Sequence, residues 1–70
     1  NMIKKPTIKD FYIVTYVEWK EIERVLGKRE YKKFTKWMIG QTVSNEGAYP
    51  WDLEKYLRIR FEGKKDVLWD

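Results

Sequence analysis

Residues 25–40 read VLGKREYKKFTKWMIG, from Val25 to Gly40. How this stretch is divided decides the fold. Upstream of it, Trp19, Ile22, Val25 and Leu26 recur at three- and four-residue steps and form one apolar stripe. Gly27 then stands where a left-handed residue closes a helix. Downstream, Tyr31, Phe34, Trp37 and Met38 share a second apolar face, and Gly40 stops that run in turn. The spacing predicts one helix over 16–26 and another over 28–39. Two helices joined by so short a connection must turn sharply, as in a helix-turn-helix or αα-corner.

Working outward, Thr15-Tyr16-Val17-Glu18 has the capping-box pattern for the first helix. Phe11 to Val14, FYIV, is aromatic and β-branched and favours a short strand. Thr7 and Asp10 carry capping-box spacing of their own, which makes an early helical turn the competing reading there. Residues 1–10, with Lys4, Lys5 and Lys9 around Pro6, read as a basic N-terminal arm to a single domain over 11–70.

On the other side, Gln41-Thr42-Val43 can extend as a strand. Ser44 to Gly47 has turn chemistry, and Ala48-Tyr49 can return as the second arm of a wing-like hairpin. Pro50 suits the first turn of a third helix over 50–58. Tyr49 and Trp51 are expected to anchor that helix on the first two. The tail alternates at Ile59 and Phe61, turns at Glu62-Gly63-Lys64-Lys65 and ends apolar at Val67, Leu68 and Trp69, the pattern of a terminal β-hairpin. The expected class is mainly α with a small β component: three short helices, a wing and that hairpin.

Seventy residues bury only a modest core, and four Trp, five Tyr and three Phe supply much of it. No cysteine or histidine is present, which removes disulfides, thiolate nucleophiles, the usual zinc ligands and the usual general base. The only serine, Ser44, has no imidazole to activate it. No phosphate-cradling glycine loop is present. An enzyme is not expected, nor a cofactor or a metal. No apolar run reaches membrane-spanning length. Together with the absence of cysteine, this reads as a protein of the reducing cytoplasm.

Charge is the strongest functional signal. The chain carries a net +4. Between Lys28 and Ile39 stand five bases, Lys28, Arg29, Lys32, Lys33 and Lys36, against one acid, Glu30. At helical spacing Arg29, Lys32, Lys33 and Lys36 fall within about 100° of arc, opposite Tyr31, Phe34 and Met38. A ridge of one sign repels itself and is relieved by a phosphate backbone, with release of counterions. Nucleic acid is therefore the expected partner, with Arg29 best matched to a base edge and Lys32, Lys33 and Lys36 to phosphates. Lys28 and Thr35 are secondary candidates, and the loop amides Gln41 and Asn45 could contribute. The bland alternative is that the ridge is simply a solvated helix face. The competing function is a protein-interaction module, inhibitor or adaptor, in which exposed rings among Tyr12, Tyr16, Tyr56 and Trp69 bind a protein or a second copy.

The order helix, Leu26-Gly27, basic helix ending Trp37-Met38-Ile39-Gly40, short hairpin, then Tyr49-Pro50-Trp51-Asp52-Leu53-Glu54-Lys55-Tyr56-Leu57 resembles excisionases and MerR-type winged helix-turn-helix domains over residues 16–58. The resemblance implies a recognition helix over the basic segment, a DNA partner, and an accessory or regulatory role of the kind small phage and mobile-element proteins play. Lys28-Arg29-Glu30 stands where those proteins place a Ser or Thr cap, and the wing lacks their usual basic residues.

Overall fold

The computed structural model describes residues 5–40 and 45–63. In chain order these form a 3-10 turn at Ile8–Asp10, strand β1 at Val17–Glu18, helix α1 at Trp19–Trp37, strand β2 at Gly47–Ala48 and helix α2 at Pro50–Glu62. The class is mainly α with a small antiparallel sheet, as expected. Among the described residues the helices number two rather than three, and the reason lies at Gly27. No loop separates the two amphipathic runs. A single residue, Gly27, leaves helical geometry inside α1, with φ 85° and ψ 157°. That region is essentially closed to residues with a Cβ. Fifteen residues of unbroken helix would hold Trp19 and Phe34 about 22 Å apart. Their ring centroids are 6.3 Å apart. The break therefore bends the N-terminal half of α1 sharply toward its C-terminal half, and both apolar stripes face one core.

α1 starts at Trp19, later than the capping-box pattern at Thr15 suggests. Val17 and Glu18 have another use for their backbone. They pair antiparallel with β2, Val17 opposite Ala48 and Glu18 opposite Gly47. Val17 and Ala48 are both buried. Gly47 is required there by close approach, since a Cβ would stand 2.0 Å from the Val17 carbonyl oxygen. This pairing also changes the wing. Its return strand, predicted at Ala48-Tyr49, is present as Gly47–Ala48 but belongs to Val17–Glu18. The predicted outgoing strand, Gln41-Thr42-Val43, lies outside the described residues.

The capping box that does form is at Thr7. The Asp10 carboxylate accepts the Thr7 backbone N–H at 2.7 Å, and the Asp10 N–H bonds the Thr7 carbonyl at 2.9 Å. The early turn thus forms at Ile8–Asp10, and the predicted strand over Phe11–Val14 does not. Phe11 is buried, Ile13 half-buried, and Tyr12 and Val14 are exposed. The segment alternates as a strand would, but among the described residues no second strand lies beside it. The turn packs on α2, with Pro6 buried beneath it, and Lys5 pairs with Glu62.

α2 opens with Pro50 at its first position and runs to Glu62, where Gly63 caps it in the left-handed conformation. It passes through Ile59 and Phe61, so the predicted terminal hairpin has no first strand; residues 64–70 lie outside the described residues. Two alternating apolar residues fit a helix as readily as a strand, and tertiary contacts settle the matter. Phe61 packs against the core, and Arg60 reaches across to α1. The core joins Phe11, Val17, Ile22, Leu26, Phe34, Met38, Ala48, Leu53, Tyr56 and Leu57. Phe34 sits at its centre, with Tyr56 edge-on at 5.0 Å and Trp37 at 6.1 Å.

Candidate nucleic-acid interface

The C-terminal half of α1 divides sharply between its two sides. Phe34 and Met38 are buried and Tyr31 is half-buried. Lys28, Arg29, Lys32, Lys33 and Lys36 are all exposed. The predicted ridge is thus assembled on one helix face, and none of its five side chains forms an ion pair with another described residue. Thr35 is not free to read a ligand with its proton, because its hydroxyl donates to the Lys32 carbonyl at 2.9 Å. Asn45 is exposed beside β2, and its neighbour Glu46 bonds the Tyr16 hydroxyl, which holds that phenol above its ordinary pKa. Gln41 lies outside the described residues.

The residue that sequence reasoning misjudged is Glu30. It was counted as the one acid opposing the ridge. It lies instead on the inner flank of the helix, 8% exposed. Arg60 of α2 grips it with two hydrogen bonds, Nε to Oε1 at 3.1 Å and Nη2 to Oε2 at 2.9 Å. The Tyr56 hydroxyl donates to Oε1 at 3.0 Å. Burial, and then the Glu30 acceptor, drive the Tyr56 phenol well above its usual range, so it stays a donor. Two consequences follow. The acid that would repel a phosphate is neutralised by a base from another helix. The same fork fixes the roll of α1 against α2, and with it the direction in which the ridge points. In the sequence, the only trace of this pairing is that Glu30 falls between the basic and apolar arcs.

The aromatic residues sort into two groups. Trp37 is half-buried against Phe34 and Tyr56, and the Lys55 ammonium lies over its ring, 5.9 Å from the centroid. Tyr49 and Trp51 behave differently from the expectation that they anchor α2. Trp51 is 57% exposed and stacks on Tyr49 with centroids 4.8 Å apart and planes 4° from parallel. The physical reason is helical phase. Asp52, Leu53, Tyr56 and Leu57 take the inward face of α2, which turns position 51 outward. Of the rings that the protein-interaction reading needs exposed, Tyr12 is so, Tyr16 is half-buried and Tyr56 is buried. Trp69 lies outside the described residues.

No helix among the described residues is long and apolar enough to cross a membrane. Comparison of the chain with protein-family models, with curated proteins and with solved structures finds no match in any of the three.

Proposed function

We propose that this protein is a small nucleic-acid-binding module, DNA being the first candidate, acting as an accessory or regulatory factor. It presents the C-terminal half of α1 to a phosphate backbone. One observation carries the reading: five exposed bases on a single face, unpaired among the described residues, with their only local acid withdrawn into a fork with Arg60. In this reading Arg29 addresses base edges, while Lys32, Lys33 and Lys36 hold phosphates and Lys28 supports them from the ridge's first turn.

The test is binding to a random duplex across a salt series. Four phosphate contacts give a slope of log K against log salt of roughly −3 to −4. Changing Arg29, Lys32, Lys33 and Lys36 together to Ala, with folding checked by circular dichroism, abolishes that slope. Absence of binding at low salt overturns the proposal. The second reading, a protein partner, is favoured by one patch: Tyr12 at 85% and Val14 at 77% exposure project from the same extended segment. It becomes the leading reading if duplex and single strand both fail to bind.

A further inference from the structure

The stacked Tyr49–Trp51 pair has no structural task that explains it. A tryptophan more than half exposed buries little area for its size, and it does not hold α2 down. Its partner ring does have an effect. With Tyr49 against one face and the rigid Pro50 between them, Trp51 is held in one orientation with its other face open. A ring ordered in advance loses little freedom when a flat ligand lies on it.

The position of this pair relative to the ridge can be traced through contacts. Lys33 and Trp37 are one turn apart on α1, and residues four apart lie side by side on a helix. The Lys55 ammonium lies on the Trp37 ring. Lys55 and Trp51 are again one turn apart on α2. The exposed Lys36 and Lys33 thus lie on one side of the half-buried Trp37 and the exposed Trp51 with Tyr49 on the other, and Lys55, itself buried, packs between them as part of one strip. Its exposed positive charge is that of Lys33 and Lys36, and its exposed ring is Trp51. The exposed Glu54 and Arg58, on the outer side of α2, are opposite in charge and one turn apart, so Lys33 and Lys36 set the sign of the strip.

A closed duplex offers such a strip its phosphates only, because its bases are stacked inside. A single strand offers phosphates to the lysines and an unstacked base to Trp51. We infer that Trp51, backed by Tyr49, is a base-stacking platform, and that the ligand of the ridge is single-stranded nucleic acid. This rests on the proposed function above and names the form of the ligand. Stacking reads the flat face that every base has, so the platform is tolerant of sequence.

The experiment compares a 12-mer of dU, a 12-mer of U and a random duplex, each about 12 nucleotides long to cover one small binding face. Affinity is measured by anisotropy at two salt concentrations, for wild type, Trp51→Ala and Trp51→Phe. Trp51 is exposed, so both variants are expected to fold, and circular dichroism checks this. The expected result is tighter binding of the oligomers than of the duplex. Trp51→Ala loses about ten-fold for the oligomers, keeps its duplex affinity and salt slope, and Trp51→Phe recovers most of the loss. A loss with either oligomer supports the platform, and the oligomer that shows it identifies the sugar. Salt-dependent binding of all three ligands with no effect of Trp51→Ala overturns the platform and leaves the ridge reading in place. Binding of none of them overturns both.

Discussion

Two buried carboxylates show how much a single side chain's surroundings decide. Glu30 has three hydrogen-bond donors arranged around it. Asp52, in the first turn of α2, is fully buried, and neither of its carboxylate oxygens has a hydrogen-bond partner among the described residues. Burial pushes the Asp52 carboxyl above its usual range, and nearby Lys55 only partly opposes this. A carboxyl with a raised folded-state pKa favours folding most while it is protonated. That contribution is lost as pH rises through the folded pKa, because the ionised form must then be held in the core. Asp52→Asn is therefore expected to be more stable than wild type at neutral pH. The gap should close as pH falls into the carboxylate range, and denaturant midpoints measured at both ends of that interval check it. A gap that widens in acid would mean that Asp52 is ionised and satisfied in the folded protein. Beyond their place on the flank of an apolar arc, nothing in the sequence separates Glu30 or Asp52 from Glu54. All three sit on amphipathic helices, and only the phase of α2 against α1 makes two of them buried.

At the level of elements, punctuation was legible and partnership was not. Pro50 starts α2, and Gly27 breaks the helical run at the residue expected, because both effects are properties of the backbone alone. The start of α1, the fate of Phe11 to Val14 and the length of α2 all depend on which distant segment supplies a partner. Val17–Glu18 becomes a strand only because Gly47 lacks a side chain and can lie against it. Local pattern cannot contain that information. The Gly27 break gives a sharp test of its own. A Cβ at Gly27 would meet no atom within 4 Å, so packing does not forbid alanine there. The backbone does, and Gly27→Ala is expected to cost about 1–3 kcal/mol, or to straighten α1 and expose its apolar stripes. Chemical denaturation measures the first outcome, and dye binding to exposed apolar surface the second. An unchanged stability would show that the break is not strained for other residues.

Over the whole molecule, charge layout was the property most fully legible, since a helix face follows from spacing once the segment is helical. The five bases identified from spacing are all on the surface. The hidden part was the cancellation of Glu30 by Arg60, which needs the arrangement of two helices and joins residues 30 apart in sequence. Self-repulsion of the ridge has a measurable consequence. Moving from about 20 to about 200 mM salt shortens the screening length from about 20 Å to about 7 Å. Wild type should gain thermal stability over that interval, and a Lys32→Ala, Lys33→Ala, Lys36→Ala variant should gain less. Equal gains would place the repulsion elsewhere. The ion pair of Lys5 with Glu62, and the packing of the Ile8–Asp10 turn on α2, matter in a different way. They bring the first and last described stretches of backbone to one spot on the surface. Among the described residues, the backbone at Lys5 and the backbone at Glu62 stand at the two sides of one doorway. A short covalent link across that doorway would turn the fold into a ring without bending any element. The same closeness would let the stretch from Lys5 to Gly63 be spliced into a surface loop of another protein, with the basic face still turned outward on its own helix.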